Sequence, residues 1–325
     1  MSSEKRILAN FVVPPELSDR RLDQAAAELM PEHSRSRLQS WIKSGALTVN
    51  GEVRKPRDKV MLDDRLALDA EPEAQVSWQA EEISLDIVYE DEHLLVINKP
   101  AGLVVHPAAG HADGTLVNAL LNYAPEVENL PRAGIVHRLD KDTSGIMVVA
   151  RSLIAHTSLV DQLQTRTMGR EYEAVVVGTL TGGATVDAPI GRHPRERKKM
   201  AVVASGKPAV THYRLVERFA AHTHVRCKLE SGRTHQIRVH MAHVKHPLVG
   251  DPLYGGRLRL PKGTTDELRE ALSAFNRQAL HARQLTLEHP ETAEILTWEV
   301  PLPEDMVALI EALRKHAREL ETRDY

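Results

Sequence analysis

The sequence predicts an α+β protein: a small N-terminal helix–helix–hairpin domain, followed by a larger domain on a mixed, mostly antiparallel β-sheet. A chain of 325 residues, 42% hydrophobic and 27% charged, has material for about two globular domains. The composition changes near residue 75, where an acidic, proline-containing stretch is typical of a linker. Beyond it, short β-rich runs alternate with turns and few helices, which favours an antiparallel sheet over a doubly wound one. The predicted boundaries are 1–75, a linker at 76–85, and 86–325.

The first domain is justified by its caps and turns. Residues 18–31 have an apolar helical face and begin at Ser18, a good N-cap. A second short helix is predicted to start at Ser34. The alternation at residues 47–49 leads into Asn50-Gly51, the strongest short-range hairpin signal. These elements make a compact unit.

The second domain is predicted from β-rich runs between turns. The runs fall at 87–89, 94–97, 103–105, 146–150, 172–177 and 226–229, with helices at about 153–164 and 234–244. The sequence contains no glycine-rich phosphate-binding loop, so it offers no obvious binding site for a nucleotide cofactor. We expect no cofactor.

Neither a membrane span nor a disulfide is expected. Windows of about 18 residues all contain charge, and the first residues lack the apolar core of a secretory signal. The single cysteine, Cys227, cannot form an internal disulfide or a thiolate zinc site. These features predict a cytoplasmic protein.

The formal net charge of -3 conceals a segregation of charge. Residues 192–245 hold thirteen Lys or Arg against three Glu, whereas residues 71–92 hold eight acids and no Lys or Arg. Such a basic region is the footprint of a polyanion binder, although a solvated basic face is the plain alternative. Aromatic residues make up only 4%, which disfavours a fold that stacks single strands on rows of aromatics.

A second basic cluster lies in the first domain. Between residues 33 and 59 there are seven basic and two acidic residues. Arg35 and Arg37 come at the start of the second predicted helix, where backbone N–H groups already favour phosphate, and Lys43 follows near its end. We expect these three residues to contact RNA; the alternative is that they merely solvate a small domain.

The most informative segment is residues 133–150, in which two apolar runs bracket the loop His137–Gly145. The loop packs one His, one Arg, one Lys and two Asp between buried strands, a density that a solvent turn does not need. Asp142 begins a plain turn, Asp-Thr-Ser-Gly, and is interpreted as structural. Asp140 is the better candidate for a reactive carboxylate.

Two further segments carry candidate side chains. Arg233 stands at a strand-to-helix turn, from which it can reach a neighbouring site. Tyr172 lies on an alternating strand, where a core aromatic is the default interpretation. His240, His243 and His246 could face one way as a metal site; polar and stacking histidines on an RNA-facing helix are the alternative.

Together these segments resemble the ribosomal RNA pseudouridine synthases. The matching motifs are Ala-Gly-Ile-Val-His-Arg-Leu-Asp-Lys-Asp-Thr-Ser-Gly from residue 133, Arg-Glu-Tyr-Glu-Ala from 170 and Ser-Gly-Arg-Thr-His-Gln-Ile-Arg-Val-His from 231. Residues 98–102 and 250–256 match as well. The N-terminal unit resembles the small RNA-binding fold named after ribosomal protein S4. The likeness extends from about residue 7 to about residue 315.

The resemblance implies roles for individual residues. Asp140 matches the family's catalytic aspartate, and Tyr172 the tyrosine that stacks on the flipped base. Arg233 matches the arginine that forms a salt bridge with the aspartate, favouring its charged form. Arg138 matches the arginine that fills the gap left by the extruded uridine. The other expected RNA contacts are His137, Arg192, Arg195, Arg197, Lys198 and Lys199.

The implied reaction is isomerisation of uridine to pseudouridine in 23S ribosomal RNA, in the helix 69 stem-loop, without metal or cofactor. The implied partner is large-subunit ribosomal RNA or an assembling large subunit, and a monomer is expected. Whether Asp140 attacks the sugar, attacks the base or removes a sugar proton is left open by the sequence. The rival interpretations are a non-catalytic ribosome-assembly protein and a metal-dependent nuclease or hydrolase built on the C-terminal histidines.

Overall fold

The computed structural model describes residues 6–31, 33, 35–70, 78–107, 113–258 and 260–323. The side chains of Ser36 and Arg323 are not among those described. Ser34, the predicted start of the second helix, and residues 71–77 of the acidic stretch also lie outside the described residues. The chain divides into two compact units, Met1–Ser77 and Trp78–Tyr325.

The first unit packs two helices on a three-stranded antiparallel sheet of order β1-β3-β2. Its elements are β1 (Ile7–Val12), α1 (Leu22–Leu29), α2 (Arg35–Ser44), β2 (Leu47–Val49) and β3 (Arg65–Ala70). The helices bury their apolar positions against the sheet; Leu22, Trp41 and Leu66 lie in this core.

One local prediction for this unit was wrong, and another was right only in part. Ser18 does not cap α1, because its hydroxyl accepts a hydrogen bond from the Leu62 N–H (3.1 Å) and the helix starts only at Leu22. Asn50-Gly51 does form a tight turn with both φ angles positive (53° and 81°). However, among the described residues no regular strand follows this turn directly. A single β-bridge joins Glu52 to Val49, and β2 pairs instead with β3, which lies further along the chain.

The second unit is built on a nine-stranded sheet. Its strands are β4 (Ile87–Glu90), β5 (Leu94–Lys99), β6 (Ser144–Ala150), β7 (Gly169–Val177), β8 (Ala184–Asp187), β11 (Val210–Arg218), β12 (His222–Leu229), β13 (Leu280–Glu288) and β14 (Ile295–Glu299). A separate hairpin joins β9 (Ile190–Arg192) and β10 (Met200–Val202). The helices are α3 (Leu116–Tyr123), α4 (Leu153–Gln164), α5 (Gln236–His243), α6 (Asp266–Ala274) and α7 (Glu304–Arg323).

The strand order is β4-β5-β6-β13-β7-β12-β11-β8, with β14 also paired to β13. Within the described residues, β6 and β13 form the one parallel pair of this sheet, and the other pairs are antiparallel. The predicted mixed, mostly antiparallel sheet is therefore confirmed. No helix of the described chain is long and apolar enough to cross a membrane.

The structure differs from the sequence prediction at several places in this unit. Six of its strands were not predicted: β8, β9, β10, β11, β13 and β14. Residues 103–105 are not a strand, and three of the helices, α3, α6 and α7, were not predicted. Residues 78–85, assigned to the linker, pack on the second unit instead. Trp78 and Leu85 contact its core, and the Glu81 N–H donates to the Asn118 carbonyl (3.0 Å).

Gly145 explains how the loop before β6 is held against the sheet. Its φ is +118°, and a Cβ built there would lie 2.1 Å from the Ala282 carbonyl oxygen on β13. Only glycine allows the two parallel strands to approach so closely at this point. The loop that ends at Gly145 is thereby fixed at the edge of a cleft.

Candidate active site

A cleft of about 590 Å³ opens beside the loop that precedes β6. Asp140 comes from that loop, Tyr172 from β7, and Arg233, His235 and Arg238 from the segment around the start of α5. The structure thus brings the three motifs quoted from the sequence to one site. A volume of this size suits a small-molecule or nucleoside-sized ligand.

Asp140 is held by Arg238. The Arg238 Nη1 donates to Asp140 Oδ2 at 2.9 Å, while its Nε and Nη2 donate to the two carboxylate oxygens of Asp251 at 2.7 and 3.0 Å. Arg238 and Asp251 are buried, and the Asp140 side chain keeps 18% of its surface exposed toward the cleft. One buried cation therefore orients a carboxylate that remains accessible.

Asp251 in turn is fixed by the turn that it begins. Its Oδ1 also accepts the N–H groups of Leu253 (2.9 Å) and Tyr254 (3.0 Å). Burial opposes the charge on Arg238, but the hydrogen bonds and charges of Asp251 and Asp140 outweigh it and raise the pKa of Arg238. Arg238 stays a cation.

Arg233 is not the partner of Asp140, which corrects the prediction. Its Nε donates to the Pro208 carbonyl at 3.0 Å, so its side chain lies along the cleft margin. The reason is its place in the chain: Arg233 stands in the turn before α5, whereas Arg238 lies within the helix and points into the buried layer. The motif Arg-Thr-His-Gln-Ile-Arg contains both arginines, and an Arg flanked by Ile237 and Val239 was the available signal.

Tyr172 is buried on β7, between β13 and β12. Burial raises the pKa of its hydroxyl; the positive charge of Arg170 acts to lower that pKa and the negative charge of Asp140 to raise it. The hydroxyl therefore lies within the field of both charges. A buried tyrosine that lines a cleft beside a carboxylate suits an aromatic contact with a ligand.

His235 completes the surroundings of the carboxylate and was missed in the sequence. Its Nε2 lies 3.9 Å from Asp140 Oδ2, and its Nδ1 shares a 2.8 Å hydrogen bond with the Tyr254 hydroxyl. That hydroxyl already accepts the Met200 N–H at 2.9 Å, which leaves its own proton for His235 Nδ1. Burial lowers the pKa of His235, so the neutral ring presents its Nε2–H to Asp140.

The backbone of the Asp140 loop is anchored by Lys99, another residue to which the sequence analysis gave no role. The Lys99 side chain is 1% exposed, and its Nζ donates to the carbonyls of Pro100, Leu103 and Lys141 at 2.8–3.0 Å. Burial lowers the pKa of Lys99 to about 8. Arg277 adds a hydrogen bond to the Asp142 carbonyl at 3.2 Å, so the loop is fixed on both sides of Asp140.

His137 and Arg138 differ in what they offer to RNA. The His137 Nε2 accepts the Val148 N–H at 3.1 Å, and burial lowers the pKa of the ring to about 3. His137 is therefore neutral, and one of its two ring nitrogens, Nε2, is used in a hydrogen bond to the backbone. Arg138 is exposed at the cleft and remains available for a ligand.

The predicted RNA contacts of the first unit also differ in how far they are engaged by other residues of the protein. Arg35 donates to the buried carboxylate of Asp23 at 2.8 Å, so part of its charge is neutralised within the domain, which the sequence prediction did not foresee. The Arg37 guanidinium lies 5.9 Å from the ring centroid of Trp41. Lys43 is exposed near the end of α2.

The run at 192–199 forms the loop of the β9–β10 hairpin. Arg192 donates to the Arg197 carbonyl at 3.0 Å, and Lys199 pairs with Glu196 at 2.8 Å. The other cations of the run are exposed: Arg195, Arg197 and Lys198. The hairpin is linked to the cleft by the Met200 N–H, which donates to the Tyr254 hydroxyl beside His235.

The histidines of the C-terminal motif do not form a metal site among the described residues, and two of them are held by hydrogen bonds within the protein. His240 is completely buried, with Nδ1 on the Thr211 hydroxyl (2.9 Å) and Nε2 on the Ala188 carbonyl (2.8 Å). His246 Nδ1 bonds to the Val177 carbonyl at 2.9 Å. Across the residues that the structure describes, no cluster of three His, Cys, Asp or Glu could hold a metal ion.

Comparison with known proteins identifies the class to which this fold and site belong. Residues 93–243 match the RNA pseudouridylate synthase family, and residues 20–66 match the S4 domain. The chain belongs to the RNA pseudouridylate synthases that carry an N-terminal S4 domain, and it is an enzyme that isomerises uridine.

Curated relatives match nearly the full length. The chain is 63% identical to ribosomal large subunit pseudouridine synthase D of Pseudomonas aeruginosa, over 93% of this chain and 95% of that protein. The protein of that name from Escherichia coli is 54% identical over 95% of each chain.

Solved structures agree with this class. Human RNA pseudouridylate synthase domain containing 4 covers 70% of this chain and 93% of its own, at 28% identity and a TM-score of 0.57. Human RNA pseudouridylate synthase domain containing 1 covers 72% and 96%, at 26% identity and a TM-score of 0.53.

Proposed function

We propose that this enzyme converts uridine to pseudouridine in 23S ribosomal RNA, in the helix 69 stem-loop, with Asp140 as the catalytic carboxylate. The observation that carries the proposal is the Arg238–Asp140 pair (2.9 Å), in which a buried arginine presents a partly exposed carboxylate to the cleft. The large ribosomal subunit is the target named for the relatives from Pseudomonas aeruginosa and Escherichia coli. Helix 69 is the target implied by the motif resemblance.

The uridine enters the cleft by base flipping. A base inside a stem cannot be reached by a carboxylate, so it leaves the stack at a cost of a few kcal/mol. Tyr172 supplies the aromatic surface beside Asp140, and the exposed Arg138 refills the vacated stack. The carboxylate then acts on the nucleoside at the sugar or at the base.

Basic surfaces on both units bind the RNA backbone. The exposed cations of the β9–β10 loop, Arg195, Arg197 and Lys198, contact phosphates, as do Arg37 and Lys43 of the first unit. Phosphate contacts position the stem and do not read its sequence. The enzyme works as a monomer in the cytoplasm, where ribosomal RNA and assembling subunits are present.

Mapping of pseudouridine in large-subunit RNA tests the target. Large-subunit RNA and immature subunits from a strain lacking the enzyme are incubated with wild-type protein, and modified positions are read by carbodiimide labelling and primer extension. New pseudouridine in the helix 69 loop is expected. Modification confined to other stems contradicts the helix 69 assignment, and no modification on either substrate supports a non-catalytic assembly protein instead.

A further inference from the structure

Arg170, on β7 two residues before Tyr172, is a buried arginine without a counter-charge. Arg170 is 7% exposed, and its Nε is buried with no hydrogen-bond partner. Among the described residues, neither a hydrogen bond nor an ion pair to Arg170 is formed. Burying a charge without a partner is costly, so the missing partner is expected outside the protein.

The guanidinium faces the cleft on the side of Tyr172. Residues two apart on a strand share a face, and both side chains line the cleft. Burial is the main influence on the pKa of the Tyr172 hydroxyl, and Arg170 and Asp140 act on it with opposite signs. Gly232 makes room for Arg170, since a Cβ at that position would lie 2.6 Å from Arg170 Nη1.

Three other arginines that line the cleft have protein partners. Arg238 binds two carboxylates, and Arg166 pairs with Glu230 at 3.2 Å. Arg233 donates to a backbone carbonyl. Arg170 is thus distinguished by an unused set of donors in a buried position next to the proposed base-binding tyrosine.

The proposed reaction supplies an anion at this place, and the inference rests on that proposed function. In the isomerisation the C1′–N1 bond breaks, a C1′–C5 bond forms, C5 loses a proton and N1 gains one. Between these events the uracil ring carries the electron pair, spread over its carbonyl oxygens. This holds whether Asp140 attacks the sugar, attacks the base or removes a sugar proton.

We propose that Arg170 is a catalytic residue that donates hydrogen bonds to a carbonyl oxygen of the flipped uracil and stabilises the anionic ring. A fixed cation in a pocket from which water is excluded stabilises developing charge at little reorganisation cost. A backbone phosphate is the less favoured ligand, because phosphates remain outside with the stem while Arg170 lies buried beside Tyr172.

Substitution of Arg170 by Met, which keeps the length and removes the charge, tests this role. We expect Arg170→Met to slow single-turnover pseudouridine formation by about 10²- to 10³-fold, the usual effect of losing one such donor. The RNA Kd and its salt dependence stay unchanged. The melting temperature stays equal or rises, because an unpaired buried charge is removed. Added guanidinium ion restores part of the rate, at the same ionic strength as a sodium control.

Arg269→Met is the matched control, since Arg269 lies on α6 in an exposed i,i+3 pair with Asp266. A weaker RNA Kd for Arg170→Met with a salt slope reduced by about one assigns Arg170 to a phosphate and overturns the inference. A lower melting temperature with a normal rate makes Arg170 structural and overturns it as well. If the wild-type enzyme itself forms no pseudouridine, the proposed function fails. If the wild type is active and Arg170→Met is equally active, only the catalytic role of Arg170 is overturned.

Discussion

Arg238 donates one hydrogen bond to Asp140 (2.9 Å) and two to Asp251 (2.7 and 3.0 Å). The same guanidinium therefore joins the loop before β6 to the turn that follows α5. Its three nitrogens are all used, and its planar fork fits this arrangement in a way that an ammonium cannot. The orientation of the Asp140 carboxylate depends on a residue 98 positions away in sequence.

Exchange of arginine for lysine separates the two arginines of the motif. Arg238→Lys keeps a charge but loses the fork, and we expect single-turnover pseudouridine formation to fall about 10- to 100-fold with an unchanged RNA Kd. Arg233→Lys loses only a contact with a backbone carbonyl, and a change below about threefold is expected. Rapid-quench kinetics on one RNA substrate compare them. A larger loss for Arg233→Lys than for Arg238→Lys would reverse the assignment.

Asp251 is expected to matter for stability as well as activity. Replacement by Ala removes a buried carboxylate and leaves Arg238 with Asp140 as its one carboxylate partner, at a cost of about 3–5 kcal/mol in the free energy of unfolding. Urea denaturation at pH 7 measures the effect. Asp266→Ala on exposed α6 serves as control and should change the free energy by less than about 1 kcal/mol. Equal effects for both variants contradict the buried network.

The close approach at Gly145 predicts a sharp sensitivity to a single methyl group. Gly145→Ala places a Cβ 2.1 Å from the Ala282 carbonyl oxygen at a φ of +118°, so β6 and β13 must separate. We expect a loss of several kcal/mol in the free energy of unfolding, and loss of activity even where the fold survives. Gly182→Ala, which meets nothing within 4 Å, is the control. A Gly145→Ala protein as stable as the control is the contrary result.

Glu173 predicts a specific pH dependence of stability. Its carboxylate is buried and bonds to His224 (2.8 Å), Arg226 (2.9 Å) and Arg283 (3.1 Å). Burial acts to raise its pKa, but these partners outweigh burial and lower it to about 2 from an ordinary value of 4.5. Because the folded pKa is the lower one, the stabilisation is complete above pH 4.5 and is lost as the pH falls through about 2. By linkage it amounts to about 3 kcal/mol.

Urea unfolding of wild type and Glu173→Gln across this range measures the dependence. The stability gap between the two proteins should be largest near pH 7 and should narrow as the pH falls from 4.5 toward 2. A gap that stays constant with pH shows that packing, and not ionisation, accounts for the effect of Glu173.

Much of the site could be predicted from sequence, because the chemistry is concentrated in short motifs. The polar loop between apolar runs pointed to Asp140. The alternating strand alone predicted a core position for Tyr172, and its role at the site was implied by the family resemblance. The structure brings both residues into one cleft. The mixed sheet followed from β-rich runs with few helices. Local patterns are enough for such features because they depend on neighbours in the chain.

The errors concern contacts between distant segments. Arg238 is bound by carboxylates 98 residues before and 13 residues after it, and periodicity carries no record of such pairs. Lys99 and Arg170 were overlooked for the same reason, since their significance lies in burial with unusual partners or with none. Asn50-Gly51 predicted the turn correctly, but β2 pairs with β3, a partner that is set by tertiary packing.

Tritium release from ribosomal RNA labelled at C5 of uridine tests whether Asp140 performs the isomerisation. Formation of the C1′–C5 bond must expel the C5 hydrogen, so wild-type enzyme should release tritium from large-subunit RNA. Asp140→Asn, which is nearly isosteric, should release none while it binds the RNA with unchanged Kd. Release by Asp140→Asn at the wild-type rate would contradict a catalytic role for Asp140, since another group would then carry the reaction.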